Sequence, residues 1–174
     1  MWSAWIDPNV ILPYNIWPHE RQYDRRTEKA CMSPTYDPQN IFAKILRGEA
    51  PCVRLYEDEA AFAFMDIMPR ADGHLLVIPK TPARNILDVS PKALAEMMPT
   101  VQKLARAAKA ALGADGVSVL QFNETAGGQV VFHLHFHVIP RVEGISLKPP
   151  GAPIVPADQL EPIAAKIRAA LSRE

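Results

Sequence analysis

The spacing of hydrophobic and polar positions changes several times along the chain, and each change marks an element. Ile41, Phe42, Ile45 and Leu46 fall on one helical face, with Asn40 as N-cap and Gly48 as terminator, which predicts a short amphipathic helix. Beyond Pro51, a strand is predicted over residues 53–56 and a second over 60–67. Residues 68–73 have turn composition, and the apolar run 74–79 reads as a buried third strand. Ser90 and Pro91 open a long helix, with Leu94, Met97, Met98, Val101, Leu104, Ala108 and Leu112 recurring up to Gly113. Pro99 lies inside that pattern and removes a backbone donor, so a kink or break is expected near Met98. Residues 117–123 alternate as a fourth strand, 124–128 form a Gly-rich loop, and a fifth strand carries His133, Leu134, His135, Phe136 and His137. The fourth and fifth strands are expected to form a hairpin. A Pro/Gly-rich segment then leads to a last helix at about 157–172, with a capping box at Asp158 and Glu161 and with Pro162 in its first turn. The class expected is α+β, a five-stranded antiparallel sheet with helices packed on it.

Residues 1–39 lack any such period. All three tryptophans lie there among five prolines, so an irregular N-terminal arm is expected ahead of a domain over residues 40–174. Met32 before Ser33 and Pro34 resembles a natural start, which makes an upstream or non-native extension one reading of residues 1–31. The other reading is an arm that docks through its tryptophans.

A length of 174 residues suits one domain with a core. Its 19 basic and 19 acidic residues create no net field for nucleic acid or an anionic membrane, so a bound phosphate must be held by local donors. Cys31 and Cys52 form no C-x-x-C pair, no run approaches a membrane span, and Asp7, Pro8 and Pro13 interrupt any signal-like start. A cytoplasmic location is the resulting expectation.

Three of the five histidines occupy alternate positions, His133, His135 and His137. On a strand they would share one face, with Cα atoms roughly 6.6 Å apart along it. As a metal site the row lacks a companion carboxylate nearby in sequence. As a structural feature it gains little, because three protonated rings repel. As a catalyst, a neutral imidazole is a competent nucleophile at phosphorus, and Gly127 and Gly128 leave room for backbone N–H groups to cradle phosphate oxygens.

The segment from His133 to Ile139 resembles the histidine triad pattern of the HIT superfamily of nucleotide hydrolases and transferases. Residues 41–45 with Gly48 and Glu49, 64–67, 73–80 and 123–129 resemble its Hint branch in the same order. The likeness covers residues 40–141. It implies His135 as the nucleophile on the α-phosphorus, flanked by His133 and His137, with His74 as a fourth histidine and Asp66 on the ribose hydroxyls. It also places Asn123, Gly128, Gln129 and Val130 by the phosphate and leaving group, and Phe42, Ile67 and Leu76 around the base. Core packing explains those last three equally well.

Two departures stand out. Val130 replaces the serine or threonine of many relatives and loses a hydroxyl, and Pro82 stands where relatives often place a histidine. Asn40 and Ala43 replace the paired cysteines of zinc-bearing relatives. The expected protein is a homodimer with joined sheets that needs no metal or cofactor and hydrolyses P–N or phosphoanhydride bonds of purine nucleoside monophosphate derivatives. A Fhit-like dinucleoside polyphosphate hydrolase, suggested by residues 138–141, and a nucleotide-binding regulatory module with weak catalysis are the competing readings.

Overall fold

The computed structural model describes residues 35–173. The arm expected over residues 1–39 lies outside the described residues up to residue 34, as do the tryptophans and Cys31, while residues 35–39 carry no helix or strand. The expected α+β architecture is present. Strands β1 (Arg54–Glu57), β2 (Ala61–Met65), β3 (Leu75–Pro79), β4 (Gly116–Leu120) and β5 (Phe136–Arg141) form one antiparallel sheet in the order β1-β2-β3-β5-β4. Helices α1 (Ile41–Leu46), α2 (Pro91–Leu112) and α3 (Ala157–Leu171) pack around it.

Both faces of the sheet are buried, because alternate side chains of β2 and β3 feed two separate cores. Ala61, Ala63, Met65, Leu75 and Val77 pack with Met97, Val101 and Leu104 of α2 and with Leu160, Ala164 and Ile167 of α3. Phe62, Phe64, Leu76 and Ile78 point the other way and are covered by Phe42 of α1. Each fully buried Leu, Ile or Phe contributes roughly 1.5–3 kcal/mol through its lost contact with water. Insertion of β5 between β3 and β4 sets His137 opposite Leu76 on one side and Leu120 on the other. The face that α1 covers is therefore also the face of the histidines.

Asn40 caps α1 as expected, its Oδ1 accepting from the Ala43 N–H at 2.9 Å. Ile41 nevertheless points outward, 47% exposed, and the buried pair is Phe42 and Ala43. Helix α2 runs unbroken through Pro99. Pro99 and Ala95, whose carbonyl loses its partner, both lie on the solvent side, where water replaces the missing bond. Helix α3 begins one residue before the expected cap: Pro156 is the N-cap, without a side-chain bond, and Asp158 sits in the first turn. Pro162 is thus inside the helix rather than in its first turn, and the exposed Asp158 carbonyl is the one left to water.

The largest correction concerns the histidine strand. Strand β5 starts only at Phe136, and β4 ends at Leu120; the two pair antiparallel as the expected hairpin, but residues 121–135 link them, with a 3₁₀ turn at Thr125–Gly127, in place of a short Gly-rich loop. His133 and His135 precede the strand. The backbone there bonds elsewhere: the Leu134 N–H donates to the Ala83 carbonyl at 2.8 Å, and Leu134 is fully buried.

Gly73, directly before His74, has φ +77, and a Cβ there would lie 2.2 Å from Leu112 Cδ1 and 3.1 Å from Pro140 Cγ. Gly48 shares the left-handed backbone, φ +73, with nothing within 4 Å. In urea unfolding, Gly48→Ala is expected to lose about 1–2 kcal/mol from backbone strain alone. Gly73→Ala should lose clearly more, and equal losses would show that the close approach to Leu112 has no energetic weight.

Candidate active site

The histidines form a chain of hydrogen bonds whose polarity is set by main-chain groups. His133 Nε2 lies 3.0 Å from the Pro79 carbonyl, which can only accept, so Nε2 carries the proton and Nδ1 accepts from the Tyr36 hydroxyl at 2.7 Å. His135 Nδ1 lies 2.6 Å from the His133 carbonyl and must also donate, which leaves its Nε2 as a bare lone pair. At the other end the Arg70 N–H donates to His74 Nδ1 at 3.1 Å, so His74 carries its proton on Nε2 and donates it to His137 Nδ1 at 2.9 Å. His137 is then left with an Nε2–H. Among the described residues no buried side-chain N or O lacks a partner. The two unpaired ring atoms, His135 Nε2 and His137 Nε2, therefore face accessible space, and the two rings stand edge to face with centroids 5.0 Å apart.

Burial keeps the row neutral. It lowers His133 to about 4 and His137 to about 3, helped in His137 by the neighbouring His135 and His74. Burial also lowers His74 and His135, with Asp66 and, for His135, the His133 carbonyl pulling the other way. Phe42 seals this side, its ring edge-on to His135 at 5.1 Å and to His133 at 6.4 Å. Phe42 and Leu76 are thus core residues, 7% and 4% exposed, whereas Ile67 at 47% is open to a ligand.

Asp66 Oδ1 accepts from the Met68 N–H at 2.8 Å, while Oδ2 lies 3.4 Å from His74 Nε2 and 3.8 Å from His137 Nδ1. Asp66, His74 and His137 bring their ligand atoms within 4.8 Å of one another, which supplies the carboxylate missing from the sequence reading of a metal site. The donor set still does not fit a cation. Metal on Nε2 of neutral His74 would move the proton to Nδ1, against the Arg70 N–H that now donates to it at 3.1 Å. A shared proton satisfies the His74–His137 pair instead.

The Gly-rich loop is folded differently from the expected phosphate cradle. The N–H groups of Gly127 and Gln129 donate to the Glu124 carbonyl, and that of Gly128 to the Thr125 carbonyl, each at 3.0 Å, so all three close the turn on itself. The Gln129 side chain is buried, donating to the carbonyls of Arg84 at 2.7 Å and Val131 at 3.0 Å and accepting from the Glu124 N–H at 2.8 Å. Asn123 Oδ1 accepts from the Ile86 N–H at 3.0 Å, and its Nδ2 donates to Gln121 at 2.7 Å. Val130 is 83% exposed at the rim.

The clasp of this loop was not foreseen. Glu124, a non-glycine residue at φ 59, is held in that strained backbone by Arg84 at 2.8 and 3.0 Å and by Asn85 at 2.6 Å. Arg84 also lies over the Phe132 ring, 3.8 Å from its centroid. The polar pair Arg84-Asn85 between β3 and α2 was the available signal. Tyr36 gave none.

At the far end of the β4–β5 ladder a groove lined by Asp115, Arg141, Glu143 and Ile145 contains none of the histidines. Its polar groups are already tied, Asp115 to the Glu143 N–H and Arg141 to Ser118 and the Ile145 carbonyl.

A buried row of neutral imidazoles beside a carboxylate, on an antiparallel sheet of this order, defines a histidine-triad domain. The family profile described as HIT domain matches residues 47–144, more than half of the chain, and the chain belongs to that family. It is 39% identical over 121 residues to the adenosine 5'-monophosphoramidase hnt1 of Schizosaccharomyces pombe, covering 68% of this chain and 88% of that one. It is 40% identical over 111 residues to the adenylylsulfatase HINT3 of Arabidopsis thaliana, covering 64% of this chain and only 56% of that relative. A Hit-like protein from Bartonella henselae, 55% identical, superposes with a TM-score of 0.74 over 78% of this chain and 99% of its own.

Folded-state values below the ordinary 6.5 mean that the unfolded chain takes up protons which the native site refuses. This contribution to stability is complete above pH 6.5 and is lost progressively as the pH falls towards about 4 for His133 and about 3 for His137. Thermal denaturation should show Tm falling over that window, less steeply in His137→Asn. An equal slope in the variant would contradict the neutral buried state of His137.

Proposed function

We propose that the protein is a nucleotide hydrolase that cleaves P–N or phosphoanhydride bonds of purine nucleoside monophosphate derivatives through a nucleotidyl intermediate on His135. One observation carries this reading: along the hydrogen-bonded row, His135 Nε2 is the one ring lone pair without a protein partner among the described residues. The purine preference and the bond types are supported by relatives that bear the names adenosine 5'-monophosphoramidase and adenylylsulfatase.

The Nε2 lone pair attacks the α-phosphorus, the P–N or P–O bond breaks, and its electron pair leaves with the leaving group, which takes a proton from solvent. The imidazole becomes cationic while keeping Nδ1–H on the His133 carbonyl, a bond that strengthens with charge. Asp66 also favours the charged form of His135. Water then attacks phosphorus and gives up a proton to solvent, the P–Nε2 bond breaks, and its electrons return to Nε2. His137 offers its Nε2–H to a phosphoryl oxygen. Asp66 retains a side-chain exposure of 14% from which to receive a ribose, and Ile67 beside it is open to the base. No cofactor enters either step.

The homodimer with joined sheets is supported by β4, an edge strand of sequence GVSVL with no charged residue and with Val119 44% exposed. The opposite edge, β1, is covered by Arg168, which donates to the Arg54 carbonyl at 2.8 Å. Among the described residues no helix is long and apolar enough to cross a membrane. The cytoplasmic location we infer rests on there being only two cysteines in the sequence, without C-x-x-C spacing.

Turnover of an adenosine phosphoramidate, an adenosine phosphoanhydride and a diadenosine polyphosphate by the purified protein tests the reading, with sedimentation to test the dimer. The first two should be hydrolysed faster than the third, and His135→Ala should lose on the order of a thousandfold or more in kcat. Val130→Ser should raise P–N turnover severalfold if the absent hydroxyl limits departure of the amine. Preference for the dinucleotide would favour the Fhit-like reading, and tight AMP binding without turnover the regulatory one. Unimpaired His135→Ala, or sedimentation as a monomer, would contradict the respective claims.

A further inference from the structure

Tyr36 lies four residues before the N-cap of α1, and its hydroxyl reaches across 97 positions of sequence to His133 Nδ1 at 2.7 Å. The two rings meet edge to face with centroids 5.5 Å apart. His133 is fully buried, and among the described residues Tyr36 is the sole group bonded to that nitrogen. The opposite ring nitrogen is held by the Pro79 carbonyl at 3.0 Å. His133 is thus pinned at both ends. Its own carbonyl accepts the Nδ1–H of His135 at 2.6 Å, so whatever fixes the His133 ring also fixes the atom that aims His135.

We propose that Tyr36 is a positioning residue for the nucleophile: by donating to His133 Nδ1 it locks the His133 ring and, through the His133 carbonyl, the tautomer and direction of His135. Without the hydroxyl, a buried lone pair loses its donor. The ring can then exchange tautomers or turn over, and either change gives up the Pro79 bond and loosens the carbonyl. The effect falls on the chemical step and not on nucleotide affinity, because Tyr36 touches neither Asp66 nor the open ring atom of His137 among its described contacts.

This rests on His135 as the nucleophile, and Tyr36→Phe in the full chain tests it, since phenylalanine keeps the ring and removes the donor. The expected result is a fall in kcat of about tenfold with KM within twofold, a size set by small misplacement of a reacting group. Ring-nitrogen NMR should show His133 of the wild type as a single Nε2–H tautomer with Nδ1 hydrogen-bonded, and an altered Nδ1 signal in the variant. A variant with wild-type kcat overturns the proposal, as does a fall in kcat matched by a rise in KM. Protonated Nδ1 in wild-type His133 overturns it without reference to any variant. A wild-type chain that turns over no nucleotide would instead defeat the functional reading itself.

Discussion

The site depends on one short hydrogen bond, from His135 Nδ1–H to the main-chain carbonyl of His133 at 2.6 Å. A free imidazole exchanges its proton between two nitrogens and rotates about its side-chain torsions, so as a nucleophile it is correctly presented only part of the time. A carbonyl anchored in the fold removes that freedom. It fixes which nitrogen carries the proton, leaves the other as a lone pair, and accepts charge when that lone pair forms a bond to phosphorus. The rest of the site serves this bond. Pro79 at the end of β3 holds the His133 ring, the Leu134 N–H is tied to Ala83, and Phe42 closes the face above.

Neutrality is the second condition, and it follows from placing the row on the sheet face that α1 covers. Charged, the rings would repel one another and could not bond in series; buried, they are held in the uncharged form that can. His74 and His137 illustrate this, one donating and the other accepting at 2.9 Å. The same tautomer excludes the cation that the geometry of Asp66, His74 and His137 would otherwise invite.

What was legible in the sequence was local or periodic. Asn40 is a cap because its side chain reaches the N–H three residues on, and the apolar runs of β2 and β3 are strands because both faces need filling. Helix α2 does not break at Pro99, and α3 carries Pro162 inside it, since the cost of each proline depends on whether the orphaned carbonyl faces water, a tertiary property. The histidine row was legible as chemistry but not as geometry: alternation pointed to a strand, yet only His137 lies on one. The bonds that pin the His133 ring at both nitrogens and join His74 to His137 link residues 54, 63 and 97 positions apart, and no periodicity records such pairs. Gly127 and Gly128 likewise suggested a phosphate cradle, whereas their N–H groups are spent within the turn and the loop is braced by Arg84, Asn85 and Glu124.

The central claim is that the fold leaves one imidazole lone pair free for reaction. The most direct measurement is to quench a reaction with an adenosine phosphoramidate in alkali, digest the protein, and identify the nucleotidylated residue by mass spectrometry and the linked nitrogen by NMR. The account predicts adenylate on Nε2 of His135. Linkage through Nδ1, or adenylate on His74, His133 or His137, would contradict it.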